Sequence, residues 1–126
     1  MQIRLSNASE KPIYEQITQQ IKQAILSGDL KSGDALPSIR SLAKDLKISV
    51  MTTKRAYTDL ERDGFIETVA GKGSFVAERN QDFLKEELLR QIETHLQHAI
   101  QTAKTAGMMK NELLEIVTLL VEEEME

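Results

Sequence analysis

The chain has 126 residues, 40% of them hydrophobic and 29% charged, the balance of a folded protein rather than a disordered one. It contains no cysteine, which excludes disulfides, thiolate metal sites and cysteine nucleophiles and suits a reducing cytoplasm. The formal net charge is −4, but residues 1–79 hold 12 Lys/Arg against 10 Asp/Glu while residues 80–126 hold 4 against 10, an asymmetry that points to two parts with different tasks.

The first predicted element is a helix opening at Pro12, a residue suited to a first helical position because its missing N–H has no partner there. Ile13, Ile17, Ile21 and Ile25 recur every four residues with Ala24 beside them, which marks one apolar face. Ser27-Gly28-Asp29 ends the helix, with Gly28 available for a left-handed cap. The stretch KSGDALPS that follows reads as irregular. A short helix then carries Ile39, Leu42, Ala43 and Leu46 on its inner face. Ser49 is the expected N-cap of a third helix, with Val50, Ala56, Tyr57 and Leu60 as its buried face and Gly64 as its stop. Two short helices joined by so brief a turn must cross steeply, as in a helix-turn-helix.

Beyond Gly64 the period changes. FIETV and SFVAE are short β-branched or aromatic runs separated by AGKG, the pattern of a β-hairpin with a glycine-rich tip. Three helices followed by a hairpin is the order of a winged helix-turn-helix. From Asn80 the pattern is helical again, with Phe83, Leu84, Leu88, Ile92, Leu96, Ala99, Ile100 and Ala103 in one stripe. Gly107 breaks it, and a last helix carries Leu113, Leu114, Ile116, Val117, Leu120 and Val121. Two such helices expose more apolar surface than they can hide on each other, and 47 residues are few for an isolated core. The expected fold is therefore mainly α with a small β-hairpin: a winged helix-turn-helix over residues 1–79 and a two-helix dimerisation segment over 80–126. Leu84, Leu88, Ile92, Leu96, Leu113, Val117 and Leu120 are its candidate dimer contacts.

In such a fold the third helix enters the DNA major groove with its N-terminal residues leading. These are Ser49, Val50, Met51, Thr52, Thr53 and Lys54, with Arg55 one position on. Hydroxyls bond phosphate oxygens or base edges, and Val50 or Met51 suits a thymine methyl. The helix N-terminus offers free N–H groups to a phosphate. Arg40 is placed to reach the backbone or a guanine edge, and Gly71-Lys72-Gly73 puts a cation on the hairpin tip. Taken singly, each of these side chains is ordinary solvated surface; what lifts them is that all fall on the surface that the fold turns to the duplex.

The run PIYEQI, then LPS, Arg40, Leu42-Ala43, Ile48-Ser49, Thr52, Arg55-Ala56-Tyr57, DGFIE and GKGSFV resembles the DNA-binding domain of the GntR family of bacterial transcription regulators from Pro12 to Val76. The resemblance implies a winged helix-turn-helix dimer that reads a palindromic operator, with Arg40, Ser49, Thr52, Lys54 and Gly71 to Gly73 as DNA contacts. Many members have arginine immediately after the position of Ser49. Val50 stands there in this chain, so the operator is expected to differ. The short C-terminal part is similar to the small YtrA-like subfamily, in which it serves dimerisation.

Other signals are discounted. His95 and His98 share a helix face, but two half-exposed imidazoles without a matching carboxylate do not make a metal site. The tail EEEME reads as a solvated acidic end, and no nucleophile–base pair or phosphate loop suggests an enzyme or a cofactor. No apolar run approaches the roughly 20 residues needed to span a bilayer. The N-terminal MQIRLSNASEK lacks the apolar core of a signal peptide, so a cytoplasmic protein with no membrane partner is expected. The expected partners are double-stranded DNA and a second copy of the chain, in a sequence-specific regulator, with repression the favoured direction. Two alternatives stay open at this level: a winged-helix protein-interaction module without a DNA target, supported by the near-neutral charge of residues 1–79, and a repressor switched by a small ligand held between subunits.

Overall fold

A computed structural model describes residues 1–78 and 81–125. The division that the sequence suggests at Arg79 and Asn80 lies outside the described residues, as does the terminal Glu126 of the acidic tail. Five helices and two strands follow in the order α1 (Ile13–Ser27), α2 (Ile39–Leu46), α3 (Val50–Arg62), β1 (Ile66–Val69), β2 (Gly73–Val76), α4 (Gln81–Thr105) and α5 (Lys110–Glu124). They form two compact units, Met1–Leu84 and Lys85–Glu126.

In the first unit α1 buries Ile17 and Ile21 completely and Ile25 nearly so, as the four-residue spacing requires. Pro12 stands one position earlier than expected, as the cap, where its carbonyl accepts from the N–H groups of Glu15 and Gln16. Gly28 closes the helix in the left-handed conformation at φ 88°, which an L side chain rarely adopts. The segment before α1, in which the sequence suggests no element, is tied down by two glutamines of that helix. Gln20 accepts from the Arg4 N–H and donates to its carbonyl, and Gln16 does the same for Ser6, each bond 2.8–3.0 Å long. Ile3 and Leu5 thereby pack on the core.

Ser38 caps α2 by accepting from the Ser41 N–H at 3.0 Å, and α2 buries Leu42 and Ala43. Lys47 then takes a left-handed conformation (φ 56°, ψ 48°), and its N–H and that of Ile48 return to the last carbonyls of α2. This reversal joins α2 to α3 through three residues, Lys47, Ile48 and the cap Ser49. The buried face of α3 is Thr53, Ala56, Tyr57 and Leu60, which corrects the expected face by one member. Val50 is 44% exposed, whereas Thr53 is fully buried with its hydroxyl donating to the Ser49 carbonyl. The core side of α3 runs 53, 56, 57, 60, and Val50 at the helix end lies beyond the neighbours that cover it.

Tyr57 donates to the Pro37 carbonyl at 2.7 Å, and burial pushes its phenol up to about 12. Lys22 of α1 meets Asp63 at 3.1 Å, which ties α1 to the end of α3. Burial acts to raise the Asp63 carboxyl, but hydrogen bonds from Lys22 and Arg62 outweigh it and hold the group below its usual range.

The hairpin has the expected form, with Ile66 opposite Val76, Thr68 opposite Ser74 and Val69 opposite Gly73. Its turn is closed by the Lys72 N–H on the Val69 carbonyl, with Gly71 at φ 76°. The stretch read as irregular adds one bridge to this sheet, Ala35 opposite Phe75, flanked by bonds from Leu36 to Ser74 and from Val76 to Asp34. Phe65 of the β1 approach meets Phe83 edge-on at 5.7 Å, and Leu84 packs beside it. The first unit therefore reaches into the first turn of α4.

In the second unit Gly107 turns the chain at φ 70°, and Glu112 caps α5 by accepting from the Met109 N–H. Ala103 is buried, and Leu113 and Val117 are half-buried. Leu88, Leu89, Ile92, Leu96 and Ile100 of α4 are exposed, as are Leu114, Ile116, Leu119, Leu120 and Val121 of α5. No helix among the described residues is long and apolar enough to cross a membrane.

Candidate nucleic-acid interface

The N-terminal turn of α3 is shaped by a single hydroxyl. Ser49 accepts the Thr52 N–H at 3.0 Å and donates its own proton to the Thr52 hydroxyl at 2.8 Å. The hydroxyl of Ser49 is therefore engaged in holding the helix end, while that of Thr52 keeps its proton free to donate outward. The Thr53 N–H goes to the Ser49 carbonyl, which leaves the N–H groups of Val50 and Met51 facing past the helix terminus. Thr53, among the leading residues in sequence, is inside the core and does not join this surface.

Around this terminus Met51 is 72% exposed, and Val50, Lys54 and Arg55 are exposed as well. Arg40, second residue of α2, is exposed at the start of the preceding helix. Gly71, Lys72 and Gly73 form the exposed tip of the wing, and Gly71 and Gly73 both adopt positive φ. The ion pairs of the described residues are Lys22–Asp63, Arg62 with Asp59 and Asp63, and Arg90–Glu87. Arg40, Lys54, Arg55 and Lys72 take no part in them. They share this with the exposed Lys31, Lys44 and Lys47, so what singles them out is their place at the start of α2, on α3 and on the wing tip.

One member of this group carries a contact that the sequence did not suggest. The Arg55 guanidinium lies over the Tyr14 ring of α1, 3.8 Å from its centroid, and donates to the Tyr14 hydroxyl at 3.1 Å. A residue at position 14 and one at position 55 share no local spacing, so only the packing of α1 on α3 brings them together.

The candidate dimer contacts fall into three settings. Leu84 packs on the core of the first unit; Leu113 and Val117 are half-buried in the second; Leu88, Ile92, Leu96 and Leu120 remain exposed. His95 and His98 are exposed, and no group of three metal-ligating side chains occurs among the described residues.

Residues 13–76 match the family described as bacterial regulatory proteins, gntR family. The chain is 40% identical over 113 residues to the HTH-type transcriptional repressor YtrA of Bacillus subtilis, covering 90% of this chain and 87% of that relative. A solved transcriptional regulator from Oenococcus oeni superposes with a TM-score of 0.77 at 27% identity, covering 93% of this chain and 97% of the other. The crystal structure of the AraR DNA-binding domain in complex with operator ORX1 matches 59% of this chain and 92% of that one, with a TM-score of 0.52 and 29% identity.

Proposed function

The chain belongs to the gntR family of bacterial regulatory proteins, a family of DNA-binding transcription regulators and not of enzymes, and on that premise we propose that it is a cytoplasmic homodimeric repressor of a palindromic operator. The observation that carries the DNA contact is the exposed, capped α3 terminus, together with the exposed cations Arg40 of α2, Lys54 and Arg55 of α3 and Lys72 of the wing tip. In this reading Thr52 and the N–H groups of Val50 and Met51 hold a phosphate at the α3 terminus. Val50 and Met51 present apolar surface to thymine methyls, where an arginine would instead seek a guanine. Arg40 reads a base edge, and Lys72 carries a charge on the wing tip to the flanking backbone.

The direction of regulation follows that of the repressor from Bacillus subtilis to which the chain is similar over nearly its whole length. The dimer reading is supported by the second unit. The apolar residues of α5 run from Leu113 and Val117 through Leu120 to Ile116 on one side and Leu114 and Val121 on the other. That arc is wider than a single neighbouring helix covers, and α4 adds its own exposed Leu88, Ile92 and Leu96. A second copy offers the same surface in self-complementary form. Two recognition helices then enter successive major grooves, with half-site centres about one helical turn apart.

Selection of bound duplexes from a random library tests the reading. Recovery of an inverted repeat supports it, and recovery of no preferred sequence overturns it.

A further inference from the structure

Three arginines of the described residues have their guanidinium held, and in two different ways. Arg62 and Arg90 are bound to carboxylates, so their charge is neutralised where they sit. Arg55 is held instead by an aromatic face. Its guanidinium stacks on Tyr14 at 3.8 Å and uses one N–H for the Tyr14 hydroxyl. A guanidinium has five N–H donors, and no other hydrogen bond or ion pair among the described residues engages this one. The ring attracts the cation through its quadrupole without cancelling the charge. Tyr14 itself packs against the core of the first unit, so the platform is fixed and the arginine with it. Arg55 is thus immobilised yet fully charged, with most of its donors open at the surface.

We propose that Tyr14 is a positioning residue that presents Arg55 to a DNA phosphate at the rim of the groove. The inference rests on the DNA reading given above. A phosphate is favoured over a base edge by the placement of the pair. Arg55 lies four residues beyond Met51 on the same face of α3, about 6 Å further from the leading end. Its head is drawn sideways onto α1 instead of forward past the helix terminus. A guanidinium so placed meets the phosphate wall of the groove and takes two oxygens with its planar fork. Pre-ordering a side chain with this much rotamer freedom removes an entropy cost that binding otherwise meets.

The test uses the full chain, a duplex recovered by that chain from a random library, and a scrambled duplex of the same composition. Dissociation constants are measured for both across a salt series. Arg55→Gln is expected to weaken both duplexes by the same factor and to lower the slope of log Kd against log salt by about 2, one phosphate for each chain of the dimer. Tyr14→Phe, which keeps the ring, stays close to the parent chain. Tyr14→Leu weakens binding to both duplexes, and it adds no further loss in an Arg55→Gln background. Thermal melting of each variant identifies any general loss of fold; if Tyr14→Leu unfolds, Tyr14→Met takes its place as the test of the platform, while Arg55→Gln, at an exposed position, tests the phosphate contact. An unchanged salt slope in Arg55→Gln overturns the proposal, as does a loss confined to the selected duplex or an equal loss from Tyr14→Leu with and without Arg55. A parent chain with no salt-sensitive affinity for any duplex overturns the DNA reading itself, which separates the two failures.

Discussion

Arg40 at the start of α2 and Tyr57 within α3 do opposite work. Arg40 is exposed, outside every ion pair of the described residues, and at the second position of α2. A base-edge contact of this kind discriminates by about 1–3 kcal/mol. Arg40→Ala removes one such contact from each chain of the proposed dimer and should lose at least roughly thirtyfold in affinity for the selected duplex and much less for a scrambled one. Equal losses on both would reassign Arg40 to the backbone. Tyr57 is inside, with its hydroxyl on the Pro37 carbonyl, and fixes the approach to α2 against α3. Removing that hydroxyl in Tyr57→Phe leaves a carbonyl without its donor and should cost about 1–3 kcal/mol of stability. The same burial that pushes its phenol up to about 12 makes the folded chain hold the proton more tightly than the unfolded chain, where tyrosine titrates near 10. This contribution is complete below pH 10 and is lost as pH rises from 10 towards 12. Denaturant midpoints at pH 9 and pH 11 should fall more in the parent chain than in Tyr57→Phe, and parallel falls would refute the assignment. Residues of this kind were legible in the sequence only in part. Arg40 and Lys54 sit at positions that motif and spacing single out. Thr53 reads as surface because it is polar, but its hydroxyl is satisfied by the Ser49 carbonyl one turn back, which lets it enter the core. Tyr14 lies in the PIYEQI run and Arg55 in the Arg55-Ala56-Tyr57 run, but their link spans 41 residues and no local spacing reveals it.

The helices and hairpin were legible as elements because each is a periodic pattern with a cap. Four-residue isoleucine spacing gives α1, the apolar spacing of Ile39, Leu42, Ala43 and Leu46 gives α2, Ser49 marks the start of α3, and a glycine-rich gap between two β-branched runs gives the wing; the Ser38 cap of α2 was not singled out. Two elements were not legible. The bridge at Ala35 is one residue long between Gly33 and Pro37, too short to leave a pattern. The segment before α1 is held by Gln16 and Gln20, polar residues whose spacing alone suggests a solvated helix side. In the second unit the apolar stripe was legible, and its exposure is what the dimer reading explains. Ile92 and Leu96, at 53% and 46% exposure, lie one turn apart on α4 and have little to lose within the chain. Ile92→Glu combined with Leu96→Glu should leave helix content by circular dichroism nearly unchanged and shift sedimentation from dimer to monomer. A persistent dimer would place the interface elsewhere.

For the whole molecule the problem is affinity without bulk charge. The first unit has a small positive surplus and the second an acidic one, so the general field favours no nucleic acid. In the proposed reading, local placement and two-fold repetition supply the binding. The proposed dimer would double the phosphate contacts and make the second half-site effectively intramolecular. With Lys54, Arg55 and Lys72 of each chain on phosphates, log Kd should change with log salt with a slope of magnitude roughly 5. The most direct test of this account is sedimentation of the chain with its selected duplex, repeated across a salt series. The account predicts two chains on each duplex and an affinity that falls steeply with salt. One chain per duplex, or an affinity indifferent to salt, would contradict it.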